Sequence, residues 1–318
     1  MKVSAIIPTY NRRTRVLRAI DSVLAQTVPV DEIIVVDDGS TDGTVDAIHT
    51  QYGSQVTVVR QENGGVSVAR TRAVEEARGE WVAFLDSDDV WLPTKMERQW
   101  DALATLGNEY RACFTNCNYF GNPELTLTAF EEAGLKTNSA FGEACNPIKY
   151  IAGSYLGIYV QSLIVLRSLF NEVNGFDQAL GISEDRDLVF KLAFKTKFCF
   201  VATPLVSIDR TPLVPRLTGL LAHKDDQSYA WLELVRKKWL AQPELVDRDI
   251  RQTIQNELIT LYYGRTAENI SELKFAAAIQ TIQQIRSMGQ SYPEIGSTLL
   301  SRAAKKLSRK SRARVGKS

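Results

Sequence analysis

The run FLDSDDVW, residues 84–91, puts three carboxylates, Asp86, Asp88 and Asp89, within four positions. Like charges this close repel, and a bound cation relieves the repulsion. Asp86 and Asp88 form an Asp-x-Asp pair of oxygen donors. Hard divalent ions such as Mg²⁺ and Mn²⁺ select oxygen ligands and often sit between a carboxylate and substrate phosphates. Asp and Ser also form turns, so the run alone reads first as a plain turn.

Context shifts the balance. The run stands directly behind an apolar strand pattern, Trp81-Val82-Ala83-Phe84-Leu85. Three further strand patterns are followed by polar loops. KVSAII leads into Pro8-Thr9-Tyr10-Asn11, EIIVV into Asp37-Asp38-Gly39-Ser40, and QVTVV into residues Arg60 to Gly65. In a parallel sheet these loops share one edge, where ligands bind.

Two more groups stand out. Arg70 falls within a helical stripe of Val66, Ala69, Ala73, Val74 and Ala77. An Arg pointing inward requires an anion, such as Asp38 or a phosphate, unless it snorkels out beside the stripe. Glu184-Asp185 opens a helix behind Ser183, a candidate cap. Asp185 shares a face with Leu188, Val189 and Leu192, so it is expected to face inward. Acids favour a first helical turn on dipole grounds alone. An inward carboxylate kept ionised there can also take a proton from an acceptor hydroxyl.

The elements that must position these groups are regular in the first 106 residues. Helical patterns over Thr14–Ala25, Thr44–Gln51, Val66–Arg78 and Pro93–Leu106 alternate with the four strands. This predicts an α/β fold, a Rossmann-like, mostly parallel central sheet with helices on both faces. Strand patterns YRACFTNCNYF, YVQSLIVL and FCFVA follow, with a helix from Ser183 to about Lys195. From about Gln227 the pattern is helical: Ser228–Leu240, Glu244–Tyr263, Ser271–Ser287 and Ile295–Lys310. We therefore divide the 318 residues into a domain over 1–220 and a helical C-terminal extension over 221–318.

Composition narrows the class. A 44% hydrophobic and 24% charged chain has the balance of a globular protein. It contains no apolar run long enough to span a bilayer and no secretion signal, so a cytoplasmic location is expected. Cys113, Cys117, Cys145 and Cys199 lack paired metal spacing, which argues against zinc and for reduced thiols. Residues 302–318 hold eight basic residues and no acid, leaving 30 basic against 37 acidic residues in the rest. The tail reads either as an amphipathic basic helix on the inner face of a membrane or as a solvated segment. The acidic body argues against nucleic acid.

VSAIIPTYNR, EIIVVDDGSTDGT, NGGVSVAR, GEWVAFLDSDDVWLPTK and NGFDQAL…SEDRDL follow one another between residue 3 and about 195. In these stretches the sequence resembles the family-2 inverting glycosyltransferases of the GT-A fold. The resemblance implies that Pro8, Thr9, Tyr10 and Arg12 line the nucleotide, and that Asp38 hydrogen-bonds its base. It places Arg70 near the diphosphate or bracing Asp38. Asp86 and Asp88 become the family's metal motif for Mn²⁺ or Mg²⁺, with Asp86 also at the nucleotide and Asp88 ranked first as direct ligand. Asp185 becomes the catalytic base. His223, the one His beyond residue 49, is a candidate further ligand.

The implied reaction moves a sugar from a nucleotide donor, typically UDP-linked, to a glycan or lipid-linked acceptor, with inversion. Two positions depart from the family pattern: Thr71 stands for Asn and Arg186 for an aromatic residue. Two other readings stand beside this one. A non-catalytic module would bind nucleotide or glycan without turnover. A nucleotidyltransferase is disfavoured because IPTYNRRTR has no glycine. The extension is free to cover the acceptor site or form a homodimer.

Overall fold

The structure, a computed structural model, describes residues 1–144, 147–152, 157–212, 226–242 and 246–299. The chain divides into two compact units, Met1–Ala222 and His223–Ser318.

The first unit opens with β1 (Val3–Thr9), α1 (Arg13–Leu24), β2 (Glu32–Asp37), α2 (Thr44–Tyr52), β3 (Thr57–Arg60), α3 (Val66–Glu76) and β4 (Trp81–Phe84). These strands pair in parallel in the order β3-β2-β1-β4. Then come β5 (Val90–Trp91), α4 (Lys95–Leu106), β6 (Tyr110–Phe120), α5 (Ala129–Glu132), β7 (Phe141–Glu143), α6 (Pro147–Ala152), β8 (Ile164–Leu166), α7 (Arg167–Glu172), α8 (Glu184–Ala193) and β9 (Lys197–Asp209).

The α/β class holds, but the sheet is mixed rather than mostly parallel. Beyond β4 the order continues β8-β6-β9-β5, with β7 also on β9. Only β6 and β9 are parallel there; β4–β8, β8–β6, β9–β5 and β9–β7 are antiparallel. Antiparallel neighbours need no helical crossover. The strand–helix alternation therefore stops after Leu106 while the sheet continues.

Every residue of β1 and β4 is buried, as a sheet covered on both faces requires. Val3, Ala5 and Ile7 belong to a core with Val16, Ile20 and Val23 of α1 and Met96 and Leu103 of α4. Across the sheet, α3 lies against β1 and β2. There the Phe84 ring meets Phe176 edge-on, at 5.4 Å between centroids.

Some boundaries differ from the sequence pattern. Pro93 is not the first residue of a helix but lies in the turn before α4, where its carbonyl accepts from the Thr27 N–H at 2.8 Å. FCFVA is only part of a 13-residue strand, because β9 serves β7 with one half and β5 with the other. Cys113, Cys117 and Cys199 are buried free thiols; Cys145 lies outside the described residues.

The second unit contains α9 (Asp226–Leu240), α10 (Arg248–Ser271) and α11 (Phe275–Ser287), with a further helical stretch over 292–299. The Asp247 side chain caps α10 by accepting from the Ile250 N–H at 2.8 Å. Thr266 and Thr281 join α10 to α11 through their hydroxyls, 2.7 Å apart. No helix among the described residues is long and apolar enough to cross a membrane. His223 and the basic tail 302–318 lie outside the described residues.

Lys95 is an unexpected core residue, with no solvent exposure. Its Nζ donates to Gln99 Oε1 at 2.8 Å and lies 4.1 Å from the Trp91 ring centroid. Burial lowers its pKa from the ordinary 10.5 to about 7. Between those values the unfolded chain holds a proton that the folded chain lacks, so stability rises with pH. Lys95→Met is therefore expected to be more stable than the parent near neutral pH, with an advantage that shrinks toward about pH 10. Urea midpoints across that range measure it, and a pH-independent difference would refute a buried, readily deprotonated lysine.

Candidate active site

The three carboxylates behind β4 occupy a tight turn closed by the Asp89 N–H donating to the Asp86 carbonyl at 3.0 Å. They point to different partners. Asp86 Oδ1 accepts from Arg70 Nη2 at 2.6 Å. The Asp88 carboxylate pairs with Arg12, and its carbonyl accepts from Arg18 Nη2 at 2.6 Å. Asp89 accepts from the Asp209 N–H at 2.8 Å and from Gln161 Nε2 at 2.7 Å. The crowding of the opening run is thus tolerated through two arginines, one amide and one peptide N–H. Asp89 is buried, and its burial together with the charges of Asp88 and Asp86 pushes its pKa well up. Its role is structural, tying the turn to the end of β9.

Arg70 is 3% exposed and does not snorkel. Its side-chain partners are not Asp38 but Asp86 and Glu184, the latter through Nη1 to Oε1 at 2.7 Å. The reason lies in the loop before α3. The Gly64 and Gly65 N–H groups each donate to Asp38 at 2.8 Å, and Gln61 Nε2 donates at 2.7 Å. Gly65 adopts a left-handed φ of +89°, open to glycine at little cost. Asp38 is thereby bound by the start of α3, while Arg70, more than a turn further along, reaches the β4 loop. A carboxylate has about four acceptor sites, so one remains on Asp38 for a ligand.

At α8 the sequence reading needs one correction. Ser183 precedes the helix with φ +63°, and its hydroxyl makes no capping bond. Glu184 and Asp187 are buried, and Asp185 is half-buried. Leu188, Val189 and Leu192 are buried as expected. Burial, then the neighbouring Asp185 charge, pushes Glu184 up to about 7, against the opposing pull of Arg70. Burial also raises Asp185, with a contribution from the negative charge of Asp86; Arg70 and the Arg186 N–H and guanidinium oppose it.

The remaining residues stand along the same strand ends. Pro8 and Thr9 close β1, and the buried Thr9 hydroxyl has no hydrogen-bond partner. Tyr10 is exposed. The Asn11 N–H donates to Ser40 Oγ at 2.8 Å, which binds the β1 and β2 loops together. Thr71, where the family has Asn, turns its hydroxyl back to the Ser67 carbonyl. Arg186 donates to the Ile151 carbonyl at 2.7 Å.

The donor chemistry of Asp86 and Asp88 suits a hard divalent cation that takes its other ligands from a diphosphate and water. Asp86 keeps 27% of its side chain exposed. Among the described residues no group of three or more His, Cys, Asp or Glu side chains is arranged to hold a metal. His223 lies outside them. Sequence reasoning missed Glu184, Gln61 and Gln161 as organising residues. Glu184 is 114 positions from Arg70, and no spacing rule links them.

Residues 4–132 match the family model described as Glycosyl transferase family 2. An uncharacterized glycosyltransferase of Rickettsia bellii is 29% identical over 245 residues, which are 77% of this chain and 34% of that protein. The putative teichuronic acid biosynthesis glycosyltransferase TuaG of Bacillus subtilis is 47% identical over 100 residues, 30% of this chain and 40% of TuaG. The chain thus spans about a third of the first relative's length. In structure it resembles S. aureus TarS 1–349 in complex with UDP-GlcNAc, with a TM-score of 0.68 and 18% identity over 91% of this chain and 82% of that one. It also resembles the mannosyltransferase PcManGT of Pyrobaculum calidifontis in complex with GDP-Man and Mn²⁺, at a TM-score of 0.53 and 19% identity, covering 96% and 80%. At those identities the likeness is one of fold. Over residues 4–132 and the motifs within them, this chain is thus similar to glycosyl transferase family 2.

Proposed function

We propose that the chain is a metal-dependent inverting glycosyltransferase. It moves a sugar from a nucleoside diphosphate donor, UDP-linked by preference, to a hydroxyl of a glycan or lipid-linked acceptor. One observation carries this reading: Arg70 contacts both Asp86 and Glu184, so the metal-motif turn lies within one side chain of the helix end that bears Asp185. The names of the relatives support it. TuaG is named for teichuronic acid biosynthesis, TarS is described with UDP-GlcNAc, and PcManGT with GDP-Man and Mn²⁺.

Each residue then has a task. Asp185 accepts the proton of the acceptor hydroxyl as its oxygen bonds to the anomeric carbon. The bond from that carbon to the diphosphate breaks on the opposite face, and the nucleoside diphosphate leaves with the bonding electrons. Asp86 and Asp88 hold a divalent cation, which when bound supplies charge stabilisation to the departing diphosphate. Pro8, Thr9 and Tyr10 line the nucleotide, with the unpartnered Thr9 hydroxyl available to it. Arg70 keeps the two acidic loops in register and Glu184 seats Arg70.

Asp185→Asn is expected to lower turnover by about 10²–10⁴-fold, the range of a lost general base, while the UDP affinity stays within about twofold. UDP release from a UDP-sugar and acceptor mixture measures the first, and titration calorimetry the second. Full turnover by the variant would remove Asp185 from the role. UDP binding with no acceptor-dependent release by the parent would favour the binding module.

A further inference from the structure

The turn after β4 contains a conflict that the proposed function leaves open. Asp88 is the carboxylate ranked first for a cation, yet it is already neutralised. Arg12, at the start of α1, forms an ion pair with it. The neighbouring Asp86 is likewise paired with Arg70, which it shares with Glu184. Two motif carboxylates thus face two guanidinium groups. A divalent cation arriving alone would bring two further positive charges beside those guanidinium groups. It would either share Asp88 with Arg12 or displace it, and both are unfavourable.

The two arginines are not equivalent. Arg70 has 3% of its side chain exposed and is held by two carboxylates on separate loops, so it cannot leave. Arg12 is 22% exposed and stands where the chain passes from β1 into α1. A nucleoside diphosphate offers a second anion at the same edge. Arg12 can turn to it as the cation takes Asp88, and the charge balance is restored.

We propose that Arg12 is the resident counter-ion of Asp88 and competes with the divalent cation for it, so that cation and nucleoside diphosphate bind together rather than separately. The proposal rests on Asp86 and Asp88 being the cation site. Its consequence is thermodynamic: UDP tightens Mn²⁺ binding, Mn²⁺ tightens UDP binding by the same factor, and Arg12 supplies part of that factor.

The test is Mn²⁺ binding to the full chain, followed by the electron paramagnetic resonance signal of the free ion, with and without UDP. Parent, Arg12→Ala and Arg12→Lys are compared after circular dichroism has shown that each is folded. The expected result is that Arg12→Ala binds Mn²⁺ alone about tenfold more tightly than the parent, the size of a partly buried ion pair. Arg12→Lys, which keeps the charge, stays near the parent. UDP tightens Mn²⁺ binding by a smaller factor in Arg12→Ala than in the parent.

Equal Mn²⁺ affinity of parent and Arg12→Ala, with an unchanged UDP factor, would overturn the competition while leaving the cation site intact. So would tightening in Arg12→Lys equal to that in Arg12→Ala. Absence of Mn²⁺ binding in all three proteins, with UDP present, would overturn the cation site and the proposal with it.

Discussion

One buried guanidinium ties together the parts of this site. Arg70 leaves α3 on the covered side of the sheet and joins Asp86, behind β4, to Glu184, at the head of α8. Removing either partner from such a buried pair leaves an uncompensated charge, at a cost of about 3–5 kcal/mol, more than an exposed pair contributes. Its two carboxylates hold Arg70 protonated against its burial. The turn and the helix end therefore keep a fixed spacing, and Asp185 beside Glu184 inherits it. Phe176, whose ring centroid lies 5.3 Å from the guanidinium, closes the remaining side.

The carboxylates of the β4 turn divide by depth. Asp89 faces the core and is spent on structure: Gln161 donates to it, and Trp91 Nε1 in turn donates to the Gln161 carbonyl at 3.0 Å. With the Asp209 N–H, that chain of bonds anchors the turn to β9, to β5 and to the segment before β8. Asp86 and Asp88 stay nearer the mouth and meet cations. The turn reading of this run holds, and closing the turn sends its three carboxylates to different partners.

Much of this was legible in the sequence. The strand–helix alternation located the four loops, and a parallel sheet puts such loops on one edge. The apolar stripe around Arg70 showed that an anion must meet it. Which anion was not legible, because contact between residues 70 and 184 depends on how α8 returns to the sheet across a stretch without periodicity. The same gap hid β5 and β7, two and three residues long, whose pairing with β9 no local pattern announces. Helical spacing put Asp185 on the apolar face, but it did not show that Arg70 would draw its neighbour Glu184 in as a partner.

The difference between the two arginines follows from their elements. Arg70 is in the middle of a helix packed on β1 and β2, so its backbone is fixed and its partners lie within reach of one rotamer. Arg12 is at a chain reversal, preceded by Asn11 with φ +49° and followed by the first turn of α1. An enzyme that binds a polyanion and releases it must change its charge balance during each cycle. A site neutralised only by fixed, buried pairs would hold its charge too rigidly to do so. One buried pair and one partly buried pair would meet both needs, and in this chain they lie on the two carboxylates of a single turn.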